Sequence, residues 1–283
     1  MLLLLAIILI TSTTIGGMQY PLTVAEAKAT TNILTVKYID VGQGDAILIK
    51  TPNNKAMMID TGPSESEAEL LKYLKTEKIK SVDVLMLSHP HEDHIGNASK
   101  IIKTIPVKSI YMTKFTTTTK VYKEMLQTIK DKKIKATLPV AGSSFNLDTG
   151  VKVTILGPNN TKYKDLNNSS IVCKISYGST SFLFTGDAED EAQKEILEKG
   201  YDLKSTVIKI PHHGGDNTTD NFIKVVNPKC AVICVGANNQ YHHPLKSVLD
   251  SIKKYKATTY RTDLKGTITF TSNGKIAKGV STK

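Results

Sequence analysis

Three imidazoles and two carboxylates fall within six consecutive residues, His89-Pro90-His91-Glu92-Asp93-His94. Neutral imidazole nitrogen suits Zn, Fe, Mn or Ni, and carboxylate oxygen favours harder ions, so this mixture can hold two adjacent divalent metals. The other four of the seven histidines stand in two pairs, His212/His213 and His242/His243. A polar loop with incidental histidines would scatter them. The chemistry such a set predicts is metal-assisted hydrolysis. Two divalent ions about 3.5–4 Å apart lower the pKa of a shared water and stabilise charge on the substrate oxygen under attack.

Each histidine cluster follows a strand-like run. Residues 81–87 are short and largely apolar and lead directly into His89, residues 206–210 end at His212, and residues 230–235 precede His242. A buried strand that delivers polar residues at its C-terminal end is a common place for a site. Residues 181–184 form a similar run ending at Thr185-Gly186-Asp187. Asp187 can therefore point a carboxylate into a cleft, or cap a helix beginning near Ala188, since Asp is a favoured N-cap. Upstream, residues 33–40, 46–50 and 56–60 read as a strand meander broken by glycine and proline turns. Asp60, before Thr61-Gly62, is expected to hold the histidine loop through backbone hydrogen bonds or to serve as a turn residue. The glycine-rich segment from Asp40 to Asp45 permits either a tight backbone approach to the site or an ordinary hairpin. Helical spacing recurs at residues 65–75, 98–104, 120–130, 189–199 and 221–226. Strands and helices alternate in both halves, which predicts an α/β protein with two mixed β-sheets covered by helices.

The bulk numbers agree with one enzyme-sized domain: 283 residues, 40% hydrophobic and 22% charged, with no shift in composition along the chain. Residues 2–10 are an unbroken apolar run, too short for a comfortable mature span, and Ala25-Glu26-Ala27 has the form of a cleavage site. The expectation is a signal peptide over residues 1–27 and a mature hydrolase domain over 28–283, secreted or held at the cell surface. An uncleaved anchor is the alternative, favoured by the absence of Lys or Arg before the run. Once the leader is cleaved, no stable membrane span is expected. Removing it takes away only Glu26, so the net charge moves from +11 to 37 − 25 = +12. Excess positive charge favours a polyanionic partner such as nucleic acid, teichoic acid or anionic lipid, although scattered lysines also suit an evenly solvated surface. Cys173, Cys230 and Cys234 lie in apolar runs without CxxC spacing, which argues for buried free thiols and against a disulfide framework.

The spacing His89-x-His91-x-Asp93-His94 resembles the signature of the metallo-β-lactamase superfamily. More narrowly, Asp40-Val41-Gly42-Gln43-Gly44-Asp45-Ala46, Ile59-Asp60-Thr61-Gly62, the histidine segment extended to Ser88 and Ile95-Gly96, Asn167-Asn168-Ser169-Ser170, Phe184-Thr185-Gly186-Asp187-Ala188-Glu189, Pro211-His212-His213-Gly214 and Tyr241-His242-His243-Pro244 together resemble the hydrolase domain of ComEC competence proteins. The likeness runs from about Thr31 to Val280 and covers the enzyme module without the membrane channel region. It implies an αββα sandwich. It makes His89 and His91 ligands of one metal, Asp93 and His94 ligands of the other, and Asp187 the bridge. Asp93 is then the catalytic residue, binding metal and orienting the nucleophile. His212 or His213 completes the second metal. Neighbours leaving a strand point in opposite directions, so one binds and the other contacts substrate or supports a ligand, with His212 the expected ligand. His243, Asn168 and Ser170 are further candidates for metal or substrate contact.

One departure concerns the segment before the bridging aspartate, where many superfamily members carry another histidine ligand. Here it reads Asn167-Asn168-Ser169-Ser170, as in the ComEC-like pattern. The first metal is left short of a protein ligand and is expected to be weakly held, completed by water, or an oxygen-preferring ion such as Mn²⁺. The cofactors implied are two divalent ions, Zn or Mn. The motif set and the basic charge favour an extracytoplasmic phosphodiesterase or nuclease acting on DNA. A cell-surface phosphodiesterase acting on teichoic acid or lipid head groups competes with it, as does a non-catalytic, metal-dependent accessory protein of DNA uptake. With no Trp and 6% aromatic residues, the chain offers little for a cation cage or base-stacking platforms.

Overall fold

The computed structural model describes residues 32–283, so the expected leader and its cleavage site lie outside them. The chain opens with the meander β1 (Leu34–Tyr38), β2 (Ile47–Lys50) and β3 (Ala56–Ile59), followed by β4 (Val84–Leu87), β5 (Ser109–Met112) and β6 (Lys135–Thr137). β3, β4, β5 and β6 run parallel. A second sheet takes β7 (Ser144–Asp148), β8 (Val151–Ile155), β9 (Cys173–Tyr177), β10 (Thr180–Phe184), β11 (Val207–Lys209), β12 (Cys230–Ile233) and β13 (Thr258–Arg261). The chain then returns to the first sheet with β14 (Ile268–Ser272) and β15 (Ala277–Ser281). The orders are β15-β14-β1-β2-β3-β4-β5-β6 and β13-β12-β11-β10-β9-β8-β7.

The strands are apolar on both faces because both faces are covered. Ile47, Ile49, Met57 and Ile59 meet Val153, Ile155, Phe182 and Phe184 in the core between the sheets. Their neighbours Leu48, Met58 and Leu85 face the other way, onto helices α1 (Glu67–Thr76), α3 (Ala98–Thr104) and α4 (Lys120–Asp131), while α2 (Glu92–Ile95) carries part of the site. On the far side, Leu183, Ile208 and Ala231 pack against α5 (Asp190–Glu198), α6 (Asp220–Val226) and α7 (Lys246–Lys254). Each fully buried Leu, Ile or Phe contributes roughly 1.5–3 kcal/mol, so three stacked apolar layers hold the α/β sandwich together. The two mixed sheets flanked by helices are the αββα arrangement.

Thr119 and Thr219 cap α4 and α6 by accepting from the backbone nitrogens of Tyr122 and Phe222, and left-handed Asn227 ends α6. The predicted elements fall close to these bounds. β6, β7, β13, β14, β15 and α7 extend beyond them. Cys173 and Cys234 are buried free thiols, and Cys230 is free but partly exposed. Among the described residues no helix is long and apolar enough to cross a membrane.

Candidate metal centre

The parallel strands of both sheets deliver their C-terminal loops to one edge of the sandwich. From the first sheet, β4 leads through Ser88 to buried His89, and α2 begins one residue after His91, so Asp93 and His94 share its first turn. Asp60 fixes this loop. Its Oδ1 accepts from the Ser88 backbone nitrogen at 2.7 Å, and its Oδ2 accepts from the Ser88 hydroxyl at 2.6 Å and from His94 Nδ1 at 2.8 Å. The glycine-rich loop closes over the same turn. Asp45 N donates to the Asp93 carbonyl at 3.1 Å, and a Cβ on Gly44, whose φ is +146°, would come within 2.3 Å of that carbonyl oxygen. Only glycine fits there.

From the second sheet, β10 ends in Thr185-Gly186-Asp187. Gly186 has φ +49°, and a side chain on it would meet Ser88 and Ser170 at 2.9 Å. Ser170 Oγ accepts from the Asp187 backbone nitrogen at 3.0 Å, which sets the carboxylate's direction. Asp187 Oδ2 lies 3.2 Å from His94 Nε2 and 3.5 Å from His213 Nε2. Asp93 Oδ2 lies 3.5 Å from His94 Nε2 and 3.1 Å from His213 Nε2. Donor atoms around a tetrahedral ion at about 2.0–2.1 Å stand about 3.3 Å apart, so Asp93, His94, Asp187 and His213 match one divalent ion. His94 Nε2 is buried with no hydrogen-bond partner, although two carboxylates stand beside it. That is the state of a nitrogen aimed at a cation. The far nitrogens are tied back: His94 Nδ1 to Asp60, and His213 Nδ1 to the Cys234 carbonyl at 2.8 Å. A carbonyl only accepts, so Nδ1 of His213 keeps its proton, and loss of the Nε2 proton to an entering cation would leave the Nε2 lone pair aimed at the cluster.

His89 Nε2 and His91 Nδ1 face each other at 3.0 Å, and Asp187 Oδ2 lies 4.0 Å from His89 Nε2. These two imidazoles flank a second position with fewer protein donors. Burial and the neighbouring His94 push the His89 pKa well below its ordinary value, which keeps it neutral. For His213, burial is outweighed by the Asp187 and Asp93 carboxylates and the pKa rises to about 10. Burial likewise opposes a charged Asp187, but His94, His213 and Lys209 hold its pKa well below the carboxylate range. A cation entering this pocket therefore displaces protons shared between imidazole and carboxylate.

Several expectations need revision. His213, not His212, reaches the cluster. The turn after β11 puts both residues in left-handed backbone, φ 47° and 53°, so strand alternation no longer decides which points inward. His212 turns toward Glu189, with Nδ1 3.2 Å from Oε1, and packs near His243, ring centroids 5.5 Å apart. Asn168 faces away from the ligands, because its Oδ1 accepts from the backbone nitrogens of Glu189 and Ala192 and so caps α5. That frees Asp187 from capping. Ser170 supports Asp187 from behind. Asp40 accepts from Gly42 N at 3.4 Å, and its own backbone nitrogen donates to Thr267 Oγ1 at 3.0 Å, so it shapes the glycine loop without touching the histidines. His243 stands beyond the ligands, at their outer edge.

Lys209 escapes the sequence reading, and Asp45 and Glu189 stand in the quoted motifs with no site role of their own assigned there. Lys209 is wholly buried on β11 between Asp45 and Asp187, yet in sequence it reads as one polar position in an apolar strand. Asp45 closes the glycine motif as that lysine's partner. Glu189 accepts from Asn167 Nδ2 at 2.9 Å and faces His212. A cleft of about 470 Å³ opens beside Asp93, lined by Gln43, Glu65, Glu92, Asn239, Gln240 and Tyr241.

Residues 39–237 match the family model described as the metallo-beta-lactamase superfamily. The chain belongs to this superfamily. It is 30% identical over 259 residues to ComE operon protein 3 of Bacillus subtilis (strain 168), covering 85% of this chain and 33% of that protein. It is 28% identical over 242 residues to Competence protein ComA of Neisseria gonorrhoeae, covering 84% of this chain and 32% of that protein. These relatives are competence proteins of the ComEC type, and the chain spans about a third of their length. Among solved structures, the metallo-beta-lactamase fold protein YhfI from Bacillus subtilis superposes with a TM-score of 0.52 at 12% identity, covering 80% of this chain and 95% of that one. This likeness concerns the fold alone.

Proposed function

We propose that the chain is an extracytoplasmic, metal-dependent phosphodiesterase that acts on DNA. The observation that carries this reading is the convergence of Asp93, His94, Asp187 and His213 on one point, with the outer nitrogens of both histidines tied back. These four residues would hold one divalent ion, and His89 and His91, with Asp187 Oδ2 4.0 Å from His89 Nε2, would hold a weaker second. Zn and Mn both suit the donors. When bound, such ions supply Lewis acidity and activate water for attack on phosphorus. Asp93 is the half-exposed member of the set, its side chain 31% accessible, so it stands where it can orient the nucleophile toward the cleft. The net charge of +11 suits a polyanion, the relatives include a protein named for competence, and the apolar run at residues 2–10 supports export.

A second reading rests on the cleft. Glu65 and Glu92 on its wall repel a phosphate backbone, and Tyr241 stands exposed at its rim, so a smaller diester with a neutral or cationic head group suits it better than a long strand. Incubation of the protein with Mn²⁺ or Zn²⁺ and linear DNA, bis-p-nitrophenyl phosphate or choline-bearing teichoic acid separates the readings. DNA cleavage that is lost in Asp93→Ala supports the first. Cleavage of the small diester or of teichoic acid without DNA supports the second. Undiminished activity in Asp93→Ala would overturn both.

A further inference from the structure

Lys209 is a lysine with no access to solvent. Burial of an ammonium is unfavourable unless every proton finds an acceptor, and here all three do. The Nζ donates to Asp45 Oδ2, to the Gly186 carbonyl at 2.8 Å and to Asp187 Oδ1 at 3.5 Å. The last contact divides the Asp187 carboxylate in two. Oδ1 is engaged by the ammonium, while Oδ2 alone faces His94, His213 and His89 at 3.2, 3.5 and 4.0 Å. Asp45 is held in turn by backbone bonds, its nitrogen to the Asp93 carbonyl and its carbonyl to Gly62 N.

We infer that Lys209 is a positioning residue that makes Asp187 a one-oxygen ligand, presenting Oδ2 between the two metal positions and withholding Oδ1. The inference rests on the metal-centre reading given above. A free carboxylate at this place can rotate and close both oxygens on a single ion, leaving the His89/His91 side without its shared donor. The three-point hold on the ammonium prevents that rotation. Asp45 anchors the lysine, and because Lys209 also reaches Asp187, the arrangement links the glycine-rich loop of the first sheet to the aspartate that ends β10 of the second.

A lysine that only balances charge behaves differently on removal. Lys209→Met would then leave a more negative pocket, which binds a divalent cation more tightly. The double variant Lys209→Met/Asp45→Asn would have the parent's net charge and the parent's affinity. A lysine that aims Asp187 weakens binding in both variants, by about ten- to hundredfold, the range found when partners that orient metal ligands are removed. The experiment is competition for Zn²⁺ against a chromophoric chelator, with the parent, the single variant and the double variant compared by circular dichroism beforehand. The double variant removes the Lys209–Asp45 charge pair as a unit, so it avoids the unpaired Asp45 carboxylate of the single variant and keeps the test open where the single variant does not fold. Weakened binding in the folded double variant upholds the inference. Parent-like or tighter binding in it overturns the inference, leaving the metal centre intact. A parent chain that binds no Zn²⁺ would instead remove the metal-centre reading, and the role of Lys209 with it.

Discussion

Asp60 accepts a hydrogen bond from His94 Nδ1 at 2.8 Å, and both side chains are wholly buried. The carboxylate thereby selects the tautomer that turns the His94 Nε2 lone pair toward Asp93 and Asp187. Asp60 has φ 59°, a backbone state that Asn also tolerates, so Asp60→Asn removes the charge while keeping the shape. The Zn²⁺ dissociation constant of this variant should rise about 10- to 100-fold in chelator competition. Unchanged affinity would mean that His94 does not bind through Nε2.

The neighbouring histidines should separate cleanly. His213→Ala removes a donor that stands 3.1 Å from Asp93 and 3.5 Å from Asp187, and tight Zn²⁺ binding should be lost. His212→Ala leaves those distances untouched, so affinity should stay within a few-fold of the parent while turnover falls. Isothermal titration of the two variants side by side checks the assignment, and the reverse order of effects would restore His212 as the ligand.

Asn168→Ala should act on stability alone. The side chain accepts from two backbone nitrogens at the start of α5, at 3.1 and 3.0 Å, and is buried. Loss of such a cap costs about 0.5–2 kcal/mol. Urea unfolding should show that loss, with Zn²⁺ affinity unchanged. A large drop in affinity with parent-like stability would put Asn168 back among the metal or substrate contacts.

Acid should loosen the end of the sandwich opposite the site. Burial alone would raise the Asp148 pKa, but hydrogen bonds from Asn53 Nδ2 at 3.0 Å and from the backbone nitrogens of Asn53 and Thr149 outweigh it and bring the value down to about 2. A carboxylate depressed in the folded state stabilises fully above its unfolded pKa, about 3.9, and that stabilisation disappears as pH falls through the folded value. Stability should therefore drop by on the order of 1–2 kcal/mol between about pH 4 and pH 2. Asp148→Asn should flatten this part of the pH profile, and an unchanged slope would assign it to other carboxylates.

The layered core was readable because β3 and β4 are apolar at every position, the mark of strands covered on both sides. Strands nearer the sheet ends were not. Ser144–Asp148 puts Ser144 and Asn146 at its outward positions, and Ala277–Ser281 has Lys278, Gly279 and an exposed Val280, so neither shows the continuous apolar run of β3 and β4. Within the site, His89 through His94 were legible because their donors are contiguous. The choice between His212 and His213 was not, since it depends on two left-handed residues that no alternation rule anticipates. Lys209 was invisible for a related reason: its meaning lies in Asp45 and Asp187, which are far away in the chain and adjacent only after folding.

The four donors of the better-formed site come from both halves of the sandwich, Asp93 and His94 from the loop after β4, Asp187 and His213 from the loops after β10 and β11. An ion among them would therefore be a further rivet between two sheets that already share, at that edge, the Lys209–Asp45 ion pair and the hydrogen bond from Ile171 N to the Ser88 carbonyl. Free metal at a hundred times its dissociation constant would add about 2.7 kcal/mol to the stability of the whole domain. Folding, on this view, reports the metal supply of the compartment before any substrate arrives. A chain in a metal-poor place would forgo that increment and rely on the polar contacts the two sheets already make at that edge.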